Sequence, residues 1–198
     1  MNLIHLEEPE LEFGSGRRHV DIRFGIMNHG PLDLTSSLAP RQIAVGVVGT
    51  KETIEGVRDW LERCRSGIAA KASKQPHLFP RFPGFSDEAG FRCSVVMEDA
   101  LCRDIPKNRF SDLGKLADLE ERIRRAVDMF LDEIRYLAQN TAARVILCAL
   151  PLELLKVMKA QETEDEQSAV PSTPTSVDFH DLLKAVAMQL SIPVQVGH

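Results

Sequence analysis

The sequence predicts an α/β domain with a largely parallel sheet flanked by helices, and three observations carry that expectation. A β-branched run at Gln42–Val48 feeds a helical pattern, an apolar run at Arg144–Leu150 feeds another, and a helix from Phe179 to Leu190 leads into a short strand at Ile192 to Val196. Strands and helices that alternate in this way favour parallel pairing through right-handed crossovers. The unbroken stretch Val145-Ile146-Leu147-Cys148-Ala149-Leu150 suits a strand buried on both faces, as parallel strands are.

The elements follow in order. From Leu3 to Leu34 the apolar residues are interrupted by Gly14, Gly16, Gly25, Gly30 and Pro31, which predicts turns and short extended strands, and residues 1–41 are set apart as an N-terminal segment before an α/β domain of 42–198. After the strand at Gln42–Val48, Thr50 caps a helix whose apolar face is Ile54, Val57, Leu61 and Cys64, and Gly67 sits where it ends. Between Ala70 and Gly90, Phe79, Phe82 and Phe85 alternate with Pro80, Pro83 and Gly84, a pattern that excludes a helix and suggests extended backbone. These rings either plug a core or form an arm that docks elsewhere. Phe91 to Met97 reads as a second strand. A long amphipathic helix is predicted from about Leu113 to Asn140, with Leu116, Leu119, Ile123, Val127, Phe130, Ile134 and Leu137 on one face and Glu120, Glu121, Arg122, Arg124 and Arg125 on the solvated side. A helix from Leu152 to about Ala160 follows the apolar strand. Residues 161–177, rich in Glu, Ser, Thr and Pro and without an aromatic, read as a flexible loop. Asp178 then caps the last helix.

Composition narrows the function classes. The chain has 198 residues, 43% of them apolar and 27% charged, which excludes wholesale disorder. With 24 Lys+Arg against 29 Asp+Glu the formal charge is −5, so a protein that coats duplex through a broad basic surface is excluded and any nucleic-acid site must be local. No run approaches the roughly 20 apolar residues of a membrane span, and Met1 to Glu10 lacks the pattern of a signal peptide, so the expectation is a soluble, cytoplasmic chain with no membrane partner. Cys64, Cys93, Cys102 and Cys148 form no C-x-x-C pair and are expected reduced and mostly buried, with neither a zinc site nor a disulfide framework.

The enzyme motifs fail in turn. Gly46 to Lys51 has the wrong glycine spacing for a phosphate loop, and no G-x-G-x-x-G, H-E-x-x-H or G-x-S-x-G occurs. The six histidines do not cluster in sequence. No catalytic residue, metal ligand or cofactor is therefore assigned. One constellation stands out: His180 and Lys184 are four apart, hence stacked on one helix face, on the flank of the stripe Phe179, Leu183, Val186 and Leu190. Placed in the first two turns of a helix near the sheet's carboxyl edge, such a pair can grip a terminal phosphate and offer a flat surface to a base. Gln195, on the following strand, adds an amide donor.

Three stretches together resemble the N-terminal part of short prokaryotic Argonaute proteins: RQIAVGVVGTKETIEGVRDWLERC, the segment LFPRFPGF, and ARVILCALP through VDFHDLLKAVAMQLSIPVQV. The resemblance runs from about Glu7 onward. It implies a Rossmann-like MID domain, which holds the 5′ end of a guide strand and is followed in that family by a PIWI domain. The family's motif for the guide end is an aromatic or basic residue, a lysine four positions on, a glutamine in the next strand and a further lysine. His180, Lys184 and Gln195 match the first three by type and order, whereas the last lysine has no counterpart after Gln195. The chain ends at His198, where the resemblance places the PIWI domain, so the expectation is a truncated, non-catalytic form.

What the resemblance implies is a domain of prokaryotic immunity that binds the 5′-phosphate and first base of a small guide RNA. The partners it implies are that guide, a complementary target DNA or RNA, and a protein with an Argonaute-associated domain fused to a TIR or sirtuin-like effector. Two alternatives stay open on the sequence: an interaction module that docks an effector partner without a guide, and a nucleotide-binding enzyme on the same kind of sheet.

Overall fold

The structure is a computed structural model that describes residues 8–88, 90–159 and 178–197 of the chain. The loop anticipated over 161–177 lies outside the described residues, as do His5 and His198. The chain divides into two compact units, Met1–Ile43 with Asp59–Val95, and Ala44–Arg58 with Val96–His198.

In the first unit, strands β1 (Leu11–Phe13) and β2 (Arg17–His19) pair antiparallel, with Phe13 opposite Arg17. A helix the sequence did not predict, α1 (Ile22–His29), packs on both strands. Asp21 starts it by accepting the Arg23 N–H at 2.8 Å, and Gly30 ends it in left-handed backbone. Gly25, which had read as a breaker, is a packing residue instead. A Cβ there would lie 2.1 Å from Cζ of the buried Phe13 ring. The rings of the phenylalanine segment differ in their surroundings. Phe82, Phe85 and Phe91 form a cluster with centroids 5.2–5.9 Å apart, while Phe79 stays exposed with Lys71 over its face. Pro76–Leu78 makes a 3-10 turn, and bridges at Ile68–Phe82 and Phe85–Gly90 hold the rest extended.

The main sheet is α/β and mostly parallel, as anticipated. Strand β3 (Gln42–Gly49) leads into helix α2 (Lys51–Arg65), which starts with a reciprocal cap: the Thr53 N–H donates to Thr50 Oγ1 and the Thr50 N–H to Thr53 Oγ1. The second anticipated strand is shorter than expected, β4 (Ser94–Val96), because Phe85–Gly90 closes a bridge and Arg92 turns left-handed before it. A further strand, β5 (Cys102–Asp104), pairs parallel with the end of β3. Strands β6 (Val145–Ala149) and β7 (Val194–Gly197) complete the order β4-β3-β6-β7, with β5 beside β3 as well. Val47 pairs with Cys102 on one side and Leu147 on the other, so the strand order reverses at β3.

The long helix is corrected. It begins at Leu119 as α4 (Leu119–Asn140), capped by Asp118 through the N–H groups of Glu120 and Glu121, and a separate helix that the sequence did not predict, α3 (Lys107–Leu113), ends before it at Gly114. The apolar face of α4 is the anticipated one: Ile123, Val127, Phe130, Ile134 and Leu137 are buried against the sheet and α3, α5 (Leu152–Lys159) and α6 (Phe179–Ala187). Arg122, expected in solvent, is buried instead. Its guanidinium donates to the carbonyls of Leu116 and Ala117, which link α3 to α4, and of Val157 in the last turn of α5, so the buried group has acceptors.

All four cysteines are free, and Cys64, Cys93 and Cys148 are buried. Burial pushes the Cys148 thiol up to about 12 and raises those of Cys64 and Cys93, which disfavours the reactive thiolate at all three sites. The partly exposed Cys102 is also raised by burial, with Arg58 opposing the shift. A disulfide reagent at pH 8 is therefore expected to modify only Cys102 in the folded protein, slowly, and all four thiols once denaturant is added. Rapid reaction of three or more thiols without denaturant would contradict this packing.

Candidate nucleic-acid interface

The anticipated trio lies on α6 and β7. Helix α6 is anchored by Phe179, Leu183 and Ala187, which are buried, and the Phe179 ring meets Phe130 edge-on at 5.7 Å. With that face fixed, His180 and Lys184 fall one turn apart on the flank, partly exposed. Strand β7 is set by its register on β6, Leu147 opposite Gln195 and Cys148 opposite Val196, so Val196 is buried while Gln195 is exposed.

Two of the three side chains touch. Lys184 Nζ donates to Gln195 Oε1 at 3.3 Å. Among the described residues Lys184 forms no ion pair, so its charge is not neutralised by a carboxylate there. With its oxygen engaged by the ammonium, the Gln195 amide keeps its N–H2 as a donor, and ammonium and amide together present donors to one anionic group. His180 does not join this contact. Its ring Nδ1 lies 3.2 Å from Asp181 Oδ1, and its backbone N–H donates to Asp178.

The cap changes one expectation. The first turn of α6 is already served by the Asp178 carboxylate, so that turn is not an open anion site. A phosphate on this surface would sit a turn further along, at Lys184 and Gln195. Beside them Lys184, Met188, Ile192 and Val194 wall an open cleft of about 490 Å³. Its apolar lining offers a place for a ring or chain attached to the anion.

Sequence reasoning missed a second cluster, at the point where the strand order reverses. Ligands of open α/β sheets sit in the crevice outside the carboxyl ends of the strands at such a point. Here that crevice holds Lys107, which pairs with Glu52 at the start of α2 and lies 3.5 Å from Glu153 at the start of α5. The three residues are far apart in sequence, so only the topology brings them together. Two carboxylates against one ammonium repel a nucleotide phosphate rather than attract it.

Among the described residues no group of three or more His, Cys, Asp or Glu side chains is placed to hold a metal ion, and no helix is long and apolar enough to cross a membrane. Compared with protein-family models and with curated proteins, the chain matches none.

Proposed function

We propose that this chain binds the 5′ end of a guide nucleic acid, in the manner of the MID domain that the sequence resembles in short prokaryotic Argonautes. The observation that carries the reading is the contact of Lys184 with Gln195 at 3.3 Å, with His180 one turn away on the same helix. Two of the three residues that match the motif, Lys184 and Gln195, meet in space. The sheet supports the reading too, since it supplies the helix-then-strand setting that the motif needs.

In this reading Lys184 supplies the charge, Gln195 a hydrogen bond to the same phosphate, and His180 stacks on the first base or donates to the phosphate. The guide is a small RNA that pairs with a complementary DNA or RNA. The chain itself performs no reaction; an NAD-consuming step belongs to a partner that carries an Argonaute-associated domain and a TIR or sirtuin-like effector. The nucleotide-enzyme alternative is disfavoured by the carboxylates of Glu52 and Glu153 in the crevice where such an enzyme would hold phosphate.

The test is a titration of the chain with one short RNA in two forms, 5′-phosphorylated and 5′-hydroxyl, at a fixed ionic strength. Tighter binding of the phosphorylated form is expected, with an affinity that weakens as salt rises. Equal binding of the two forms would overturn the reading.

A further inference from the structure

Away from α6 and β7, the first unit contains a cavity of about 190 Å³ whose wall includes Asp33, Leu34, Arg41, Ile43, Phe91 and Arg92. Most of its surface is apolar. Arg92 is unusual in two independent respects. Its backbone is left-handed, with φ 56, a conformation that glycine adopts freely and that a long side chain adopts only under constraint. Its Nε is buried without a hydrogen-bond partner, although a guanidinium is charged at every physiological pH and its N–H groups demand acceptors. Both features are unfavourable, and they fall on one residue in the wall of one cavity. Backbone strain of this kind persists where the surroundings over-determine it, and such positions cluster at ligand sites.

The charges of the wall define what would complete it. The wall carries two guanidinium residues, Arg41 and Arg92, and one carboxylate residue, Asp33, and among the described residues none of the three forms an ion pair. One net positive charge is balanced by a single negative one, so a dianion such as a phosphate monoester is a poor match. The size is equally restrictive. An apolar cavity of about 150 Å³ takes up benzene, so this one holds a single ring or a short chain with a small head. We propose that the cavity binds a small monocarboxylate with an apolar body, its carboxylate held by Arg92 with support from Arg41 and its body against Leu34, Ile43 and Phe91. A carboxylate matches the planar guanidinium in shape and charge.

The test uses the full chain with benzoate as the probe and benzamide as its neutral counterpart, read by calorimetry and by the shift in melting temperature. Benzoate is expected to bind and to raise the melting temperature, with benzamide at least tenfold weaker. Arg92→Gly accepts the left-handed backbone and removes the orphan donor, so this variant is expected to melt no lower than wild type and to lose at least tenfold in benzoate affinity. Equal binding of benzoate and benzamide, or no binding of either, would overturn the proposal. So would an Arg92→Gly variant that still binds benzoate as wild type does, because the anion would then sit elsewhere. The wild-type comparison decides the matter even if the variant fails to fold.

Discussion

A Phe130→Ala variant is expected to unfold with about 3–5 kcal/mol less free energy than wild type, the range for deleting a large aromatic from a closed core. Phe130 is fully buried on α4 and is the middle member of a chain of three rings, 6.1 Å from Phe110 on α3 and 5.7 Å from Phe179 on α6. Truncation removes the transfer energy of the ring, leaves a cavity between three helices, and removes two ring pairs worth about 0.5–1.5 kcal/mol each beyond the area they bury. Domains are stable by only about 5–15 kcal/mol, so a large share of the whole would go. Urea unfolding read by circular dichroism checks this as a fall in the midpoint at unchanged slope. A loss below about 1 kcal/mol would mean that the helices close over the gap, and that α6 is not held by the ring chain. Because Phe179 directly precedes His180, a loosened ring chain also blurs the position of the candidate site.

The parts of the fold that were legible in the sequence are those whose signals are local. Val145–Ala149 reads as a doubly buried strand and pairs with neighbours on both sides, and the stripe from Ile123 to Leu137 reads as a helix face and is one. Thr50 and Asp178 cap the helices they were expected to cap. Where local signals conflict with packing, the reading fails for a physical reason. Leu113, Leu116 and Leu119 continue the helical spacing across a gap that Gly114 and Asp118 actually open, so apolar periodicity concealed a cap and a stop. Gly25 reads as a breaker because its cause, the Phe13 ring, comes from another strand. Arg122 reads as surface because charge usually is, yet three backbone carbonyls await it. Strand β5 has only three residues, two of them charged, and exists because the end of β3 offers it a parallel edge.

The candidate site divides along the same line. The spacing of His180 and Lys184 is local and could be read directly, and the contact of Lys184 with Gln195 was within reach because a helix and the strand that follows it pack side by side. The engagement of His180 with Asp181 follows from adjacent side chains whose orientation spacing does not determine. The cluster of Glu52, Lys107 and Glu153 required the strand order, which no local pattern encodes.

Replacing Lys184 by alanine is expected to weaken binding of a 5′-phosphorylated RNA about ten- to more than a hundredfold and to leave binding of the 5′-hydroxyl form nearly unchanged. The ammonium is uncommitted to any carboxylate among the described residues and meets only a neutral amide, so its full charge is available to a phosphate. A charge-assisted hydrogen bond is worth about 1.5–3 kcal/mol, which converts to that range of affinities. Gln195→Ala removes a neutral donor worth about 0.5–1.5 kcal/mol, while it frees Lys184 from its only described partner, so a smaller loss is expected. His180→Ala should also lose less than Lys184→Ala, because its ring is tied to Asp181 and must leave that contact to stack on a base. The salt dependence separates charge from shape. Loss of one phosphate contact lowers the slope of log affinity against log salt by about 0.7 for a single strand, whereas loss of a stacking partner leaves the slope unaltered. The measurement is a titration of both RNA forms against wild type and the three variants at two salt concentrations. A Lys184→Ala protein that still prefers the phosphorylated strand as strongly as wild type would move the phosphate away from α6 and β7, and with it the site proposed here.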